Sequence, residues 1–538
     1  MHKIILDCYT DEPAGLGVPP YLGTYPRYLY GYLKKKFGQE MPVYYLTIDD
    51  LRLFVHYHNK KPETKENEKT NIRILNLTKN SPDIRTILEN TDEIYVVLGV
   101  HVPGKYLTAE PGTLRELSTL FNDLNKKAGI TAKTRLTGPA ATEFGTRLEG
   151  GKFVERQDTC IFDEVKPNIV ETYSEIAEYA VLGAEIIKQI NWSYIIAEIE
   201  TSRGCKKAVG CSFCTEPLKH RLEFRNLNDI VNEVKALNKQ GIKYFRLGKQ
   251  SDFFSWKTKE IEEMLSRIRG ECETKECETK VRETKECKTK ECNLEECKTK
   301  GYKIEECKTK DCKIEVLHID NVDPVNVTEE KVKLVVKYCT SGNVAALGAE
   351  TFDEDVVKSN NLNSAPAITM RAVEIINKFG SERGKNGMQS FLPGINLLFG
   401  LKDESKKTHA ANMQYLKEIL AKNLLLRRIN IRQVAIFPGT QLYKECGNKF
   451  LRKNKKYYWK WRNEIRQDID NQMLQRLLPV GTVLKDCIAE IYDGKTTFLR
   501  QIGTYPLIIG VKGRIELGRF YNLKVKGYML RSVIGEVV

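Results

Sequence analysis

The stretch Glu198-Ile199-Glu200-Thr201-Ser202-Arg203-Gly204-Cys205, followed after Lys206 to Gly210 by Cys211-Ser212-Phe213-Cys214, carries three thiols directly behind a strand-like run. Tyr194 to Thr201 reads as a strand, and Leu227, Ile230, Val231, Val234 and Leu237 then recur at helical spacing up to a stop at Gly241. Three soft donors in one tight loop, Cys205, Cys211 and Cys214, suit an iron-sulfur cluster with one iron left open for a small chelating ligand. A structural zinc site, a disulfide and unrelated buried thiols are the competing readings. Structural zinc closes with four ligands, and over the next about thirty residues only His220 offers a fourth. A disulfide belongs to oxidising compartments, and Met1-His2-Lys3-Ile4-Ile5-Leu6 opens a strand, not the apolar core of a secretion signal.

Outward from this loop, strand and helix patterns alternate. Ile242 to Leu247 is the next strand, with a helix from Trp256 to about Arg269 behind it. Strand Val316 to Ile319, helix Glu329 to Cys339, strand Val344 to Leu347 and helix Ile368 to Phe379 follow. Strand Ile395 to Phe399, a helix near Thr408 to Ala421 and strand Ile429 to Phe437 complete the series. Six strand-helix units with right-handed crossovers imply a parallel sheet curved into a partial barrel. The active site of such a barrel lies at the C-terminal strand ends, and the three cysteines fall there on the first strand.

A strand, a three-cysteine loop with Phe213 before the last cysteine, and a helix resemble the cluster-binding loop of the radical SAM superfamily. The commonest spacing there is CxxxCxxC; five residues separate Cys205 from Cys211 here, and longer first gaps occur in the superfamily. Later strand ends extend the resemblance. Gly248-Lys249-Gln250-Ser251-Asp252 stands where the superfamily carries a segment for the amino group of the SAM methionine. Gly348-Ala349-Glu350-Thr351 stands where a polar residue binds its ribose or carboxylate. Gly394 with Leu398-Phe399-Gly400-Leu401-Lys402-Asp403-Glu404, and Phe437-Pro438-Gly439-Thr440, are similar to the fifth- and sixth-strand motifs. The resemblance implies Cys205, Cys211 and Cys214 as ligands of a 4Fe-4S cluster, and Phe213, Gly248, Gln250, Glu350, Gly400 and Phe437 as cofactor-binding residues. It further implies reductive cleavage of S-adenosylmethionine to a 5'-deoxyadenosyl radical that abstracts hydrogen from an unreactive C-H bond. An electron donor such as a ferredoxin or flavodoxin would serve it. No catalytic acid, base or radical-quenching residue is indicated.

Residues 1–140 read as an open, Rossmann-like α/β domain, with strands Lys3 to Cys8, Val43 to Leu46 and Ile94 to Leu98 and helices Gly23 to Phe37 and Gly112 to Asn125. The loop from Asp7 to Pro20 lies at a strand end, where doubly wound sheets bind ligands; a structural turn is the alternative. Such a domain before a radical SAM barrel resembles both the cobalamin-binding class and the methylthiotransferases. The DxHxxG cobalamin motif is absent, His101-Val102-Pro103-Gly104 being only a fragment, but many members bind cobalamin without it. Methylthiotransferases need three N-terminal cysteines, and only Cys8 and Cys160 precede the barrel. If cobalamin binds, methyl transfer is the implied outcome. Residues 141–190 read as a linker, and 191–446 as the radical SAM core.

Residues 271–312 interrupt that core with a degenerate five-residue repeat, Glu-Cys-Glu-Thr-Lys and variants, that holds seven of the fifteen cysteines. A five-residue period matches no compact ligand geometry and the charges are nearly balanced, so the expectation is an expanded insertion and not a metal site. Lys and Arg outnumber Asp and Glu by 86 to 71, a formal charge of +15 that favours polyanion partners where it is concentrated. No apolar run reaches membrane-spanning length, so the expectation is a cytoplasmic protein without a membrane partner.

The charge concentrates in a connector, 447–477. Lys449 to Arg466 holds eight basic residues against Glu464 alone, interleaved with Phe450, Tyr457, Tyr458, Trp459 and Trp461, a mixture suited to looped or single-stranded RNA. The alternative is an amphipathic helix that buries its aromatics and solvates its charges. Residues 478–538 change to short strands: Thr482 to Glu490, Thr497 to Arg500, Leu507 to Val511, Phe520 to Val525 and Leu530 to Ile534, a small all-β, OB-like barrel. Leu517-Gly518-Arg519-Phe520-Tyr521-Asn522-Leu523-Lys524-Val525 and the ending Leu530 to Glu536 resemble the TRAM domain of tRNA-modifying enzymes. The resemblance implies RNA, in particular tRNA, as substrate. Modification of a protein or small molecule, and a non-catalytic iron-sulfur RNA-binding protein, remain the alternatives.

Overall fold

A computed structural model of the chain describes residues 2–9, 18–57, 78–99, 109–129, 132–142, 159–274 and 313–538. The fragment His101 to Gly104, most of the loop from Asp7 to Pro20, and all but the first residues of the 271–312 repeat lie outside these.

The N-terminal sheet contains β1 (His2–Asp7), while the short β2 (Tyr21–Leu22) leaves it to join the barrel. With β3 (Val43–Thr47), β4 (Thr91–Val97), β5 (Lys133–Thr137) and β6 (Glu164–Val165), it forms a parallel sheet of order β3-β1-β4-β5-β6. Successive residues of β1 serve opposite faces: Ile4 and Leu6 enter one core with Phe54 and Leu117, Ile5 enters the other with Leu29 and Leu33. Such a sheet is doubly wound, and its order reverses between β1 and β4. The stretch 141–190, expected as a linker, departs from that expectation. Its described part supplies β6, whose short pairing extends the sheet, and a capped helix Tyr173–Gly183. That helix lies against Thr24–Phe37 so closely that a Cβ on Gly31 would run into the Tyr179 carbonyl.

The central strands are β7 (Ile196–Glu200), β10 (Tyr244–Gly248), β11 (Val316–Ile319), β12 (Asn321–Val322), β13 (Asn343–Glu350), β14 (Phe391–Phe399) and β15 (Arg428–Gln433), with a two-stranded ribbon of β8 (Ser202–Arg203) and β9 (Glu223–Phe224) beside β7. All central pairings are parallel and sequential, and β11 and β12 are one strand broken at Asp320. Counting that broken strand once gives the six strands the alternation predicts. Helices such as Leu227–Lys239, Pro366–Gly380 and Lys406–Ala421 cover its outside. The sixth strand stops at Gln433, short of the predicted Phe437, because Val434 and Ile436 turn into a separate apolar cluster with Leu401, Leu442 and Leu451.

Strand pairing and buried ion pairs tie the N-terminal unit to the barrel. β2 pairs with β7 through Tyr21–Ile196 and Leu22–Ala197. Beneath it, buried Arg27 and Arg225 share the buried carboxylate of Glu233, and Arg225 Nη1 also donates to the Glu200 carbonyl at 2.9 Å.

The C-terminal strands β16 (Val483–Asp493), β17 (Thr496–Gln501), β18 (Ile508–Lys512), β19 (Phe520–Tyr528) and β20 (Val533–Val537) close into a barrel of order β16-β17-β18-β20-β19. It docks at the N-terminal ends of the central strands. Tyr194 Oη bonds Glu490 at 2.6 Å, Tyr21 Oη donates to the Gly503 carbonyl at 2.9 Å, and Thr504 N donates to His318 Nδ1 at 3.0 Å. Tyr505 Oη reaches inside to Asp320 Oδ1 at 2.7 Å, and the opposite Asp320 oxygen meets buried Arg246, which also pairs with Glu198.

Candidate active site at the strand ends

The cysteine loop leaves β7 through Gly204, whose φ of 81° and close approach to the Arg221 carbonyl leave no room for a side chain. Gly204 N donates to Glu216 Oε1 at 3.0 Å, and Ser251 Oγ, beyond β10, donates to the Gly204 carbonyl at 2.7 Å. Further along, Asn360 and Asn361, after helix Glu354–Ser359, clasp the loop. Ser212 Oγ bonds Asn360 Oδ1 at 2.7 Å, and Asn361 Nδ2 donates to the Val209 and Gly210 carbonyls at 2.8 and 3.1 Å. Cys214 N closes a turn on the Cys211 carbonyl at 3.0 Å.

Cys205, Cys211 and Cys214 are half-buried and free of disulfides. Burial pushes the Cys211 thiol up to about 11, against the pull of Lys207, whose Nζ lies 3.8 Å from its sulfur. Burial likewise pushes Cys214 up to about 12. Among the described residues no three His, Cys, Asp or Glu side chains gather tightly enough for one metal ion. A tetranuclear cluster places its thiolates at separate corners, so three soft donors around one loop fit it better than a single zinc. A cluster would also supply the positive charge that buried thiolates need.

The other predicted residues take up distinct positions around this loop. Phe213 packs on the cluster of Val356, Leu401, Val434 and Leu442, and so buttresses the loop against the last two strand ends. Gly248 closes β10 beside the Glu198–Arg246 pair. Gln250 is fully buried, its Nε2 donating to the Leu247 carbonyl at 3.0 Å, so its side chain shapes the turn. Glu350 ends β13 in a left-handed conformation, φ 61°, half-buried, its carboxyl raised to about 7 by burial against the opposing pull of Arg432. It stands near enough to Cys211 to raise that thiol electrostatically. Gly400 N donates to Glu404, and the Phe437 carbonyl accepts from Thr440 Oγ1 at 2.7 Å.

Sequence reasoning misses the residues that join this rim to the N-terminal unit. A cleft of about 260 Å³ lies between Thr137 and Pro139, behind β5, and Glu200, Lys219, His220 and Lys249 of the barrel. Lys249, at φ 57°, pairs with Glu200 at 3.2 Å and donates to Thr24 Oγ1 at 3.1 Å. Burial lowers the His220 pKa, with neighbouring Glu216 opposing. The Lys249–Thr24 contact spans 225 residues of sequence, and no local pattern marks it.

Over 570 aligned residues the chain is 39% identical to an uncharacterized protein of Methanocaldococcus jannaschii, covering 99% of this chain and 93% of that one. An uncharacterized protein of Archaeoglobus fulgidus is 35% identical over 543 residues, 99% of this chain and 89% of that one. The chain belongs to the family of these two proteins. No protein-family model matches it. Among solved structures it is similar to the radical S-adenosylmethionine methyltransferase TsrM of Kitasatospora setae with cobalamin and a 4Fe-4S cluster bound: TM-score 0.45, 13% identity, 82% of this chain and 74% of that one. It is also similar to the cobalamin-dependent S-adenosylmethionine radical enzyme OxsB with aqua-cobalamin and S-adenosylmethionine bound: TM-score 0.43, 12% identity, 85% of this chain and 56% of that one. Among the described residues no helix is long and apolar enough to cross a membrane.

Proposed function

We propose that the protein is a radical SAM enzyme that modifies RNA, in particular tRNA. The observation that carries the chemistry is the placement of three free thiols on one clasped loop at the first strand end of a sequential six-strand parallel barrel, with Glu350 close by at the fourth. Cys205, Cys211 and Cys214 would hold the 4Fe-4S cluster, and Phe213, Gly248, Gln250, Glu350, Gly400 and Phe437 would shape the surrounding SAM site. A cluster held by these three thiolates, reduced through a donor such as a ferredoxin or flavodoxin, would supply one electron for reductive cleavage of SAM. Asn360, Asn361 and Ser251 hold the loop, and Phe213 with Leu442 seals its apolar side from water.

The cleft behind β5 supports cobalamin as a further cofactor, because its lining, with Tyr25, Lys219, His220 and Lys249, is of the mixed polar and aromatic kind that would suit the rim of a corrinoid. The volume bounded by described residues, about 260 Å³, would take one edge of such a ligand. RNA is supported by the basic face of helix Lys449–Ile465 and by the closed terminal barrel.

Anaerobic reconstitution should give cluster absorbance and SAM cleavage, both lost in the Cys205, Cys211, Cys214 triple alanine variant. Protein that holds only zinc and never cleaves SAM refutes the proposal. With active protein, unfractionated tRNA incubated with SAM should yield a nucleoside of new mass. SAM cleavage without one favours a second reading, a protein or small-molecule substrate. One observation speaks for that reading: the loop Gly503 to Tyr505 is spent on docking the terminal barrel to the central one.

A further inference from the structure

The helix Lys449–Ile465 has one face fully accounted for. Phe450, Leu451, Tyr458, Trp461 and Ile465 are buried, Trp461 stacking on His409 at 5.1 Å between ring centroids and Phe399 lying 5.8 Å from Tyr458. The amphipathic alternative therefore explains these aromatics. It leaves Trp459, which is 63% exposed on the opposite face. The Arg462 guanidinium lies 5.2 Å from its ring centroid and Tyr458 meets it edge-on.

The charges around Trp459 are also unlike those elsewhere. Surface lysines of this molecule commonly meet a carboxylate, as in Lys35–Glu178, Lys378–Glu329, Lys402–Glu445 and Lys422–Glu374. On this helix the acid is Glu464, held by His409 at 2.6 Å with Lys460 at 3.9 Å. Eight basic residues against that one acid leave +7 of the chain's formal +15 between Lys449 and Arg466. Arg452, Lys453, Lys455 and Lys456 are exposed and carry no ion pair among the described residues.

The strip is also placed to matter. Leu451 packs under Gly400 at the fifth strand end, and the preceding Leu442 N donates to the Ser212 carbonyl of the cysteine loop at 2.7 Å. From there the helix runs about 25 Å and continues through a π-helical turn, Arg466–Asp470, to Asn471, whose side chain donates to the Met529 carbonyl of the terminal barrel at 3.0 Å. It bridges the cysteine-loop rim and the terminal barrel.

We propose that this outward face is a track for an unpaired RNA segment, with Trp459 as base-stacking platform and Arg452, Lys453, Lys455, Lys456 and Lys460 as phosphate contacts. Lysines alone would serve an acidic protein; a solvent-facing indole among them adds the flat π-face that bases use. The inference rests on RNA as substrate and says where it lies.

Full-length protein is titrated with a fluorescein-labelled 12-nucleotide oligouridylate by anisotropy over a KCl series. Trp459→Ala should weaken binding about tenfold, and Trp459→Phe should retain most of it. Lys453→Glu/Lys455→Glu/Lys456→Glu should lower the log-log salt slope by about 2. Circular dichroism melts should match wild type, since these side chains are exposed. Tight RNA binding unchanged in both variants overturns the track while leaving RNA as substrate. Binding weakened by the charge changes but not by Trp459→Ala overturns the stacking platform. No binding by wild type at any salt removes the RNA reading and the track with it.

Discussion

At the mouth of the central barrel the distinctive side chains stay half-open to water: three thiols, Glu350 without an ion pair among the described residues, and Lys249 on Glu200. At the foot they are closed off. Tyr505, Asp320, Arg246 and Glu198 form one connected chain, and His318 is capped by a backbone amide of the terminal barrel. The same strands therefore carry two kinds of polar group. Those at the foot pair chiefly with each other inside the fold; those at the mouth stand partly open at the strand ends.

If that division holds, the two ends respond to mutation in opposite currencies. The largest effect belongs to the mouth: the triple cysteine variant should lose all cluster absorbance while its denaturation midpoint stays near that of unloaded wild type. A collapse of the fold instead would mean that the loop is structural. At the foot, Asp320→Asn strips Arg246 of one of two buried carboxylates and should cost about 3–5 kcal/mol in chemical denaturation. Tyr505→Phe should cost about 1.5–3 kcal/mol, the worth of a buried hydrogen bond to a charged acceptor, with cluster loading unchanged. Loss of SAM cleavage by Tyr505→Phe at full stability would erase the distinction.

A further contrast is in pH. Burial pushes the His318 pKa down to about 3 from its ordinary 6.5. The unfolded chain therefore takes up the proton first, so stability is fully present above pH 6.5 and declines as pH falls toward 3. Asp7 and Asp50, raised by burial to about 6, act oppositely, weakening the N-terminal sheet as pH rises through that range. Melting curves of wild type and His318→Gln between pH 7.5 and 4.5 should converge at the acid end. Parallel curves would show that His318 does not titrate between the folded and unfolded states.

What the sequence disclosed follows the range of the forces involved. The six strands were legible because Ile196 to Glu200 and its successors alternate with helices whose apolar residues recur every three or four positions, a local signature. The five terminal strands were legible from short β-branched runs between glycines, and their closure confirms the small barrel. The π-helical turn at Arg466–Asp470 was not, nor was β6, two residues long and held by pairing with β5. At the site, the cysteines announce themselves by spacing. Asn360 and Asn361, which clasp them from about 150 residues away, and Lys249, which turns back onto the N-terminal unit, carry no local signature. Trp459 and Trp461 illustrate the limit within one helix: two residues apart and alike in sequence, one is core and the other faces water.

The two-residue strand β2 has a mechanical consequence. Because Tyr21 and Leu22 extend the sheet of β7, the N-terminal unit and the barrel share backbone hydrogen bonds at the start of the strand that leads to the cysteine loop. Opening the cleft behind β5 by a hinge between the two units would have to break this pairing, so the strand couples the separation of the units to the first strand of the barrel.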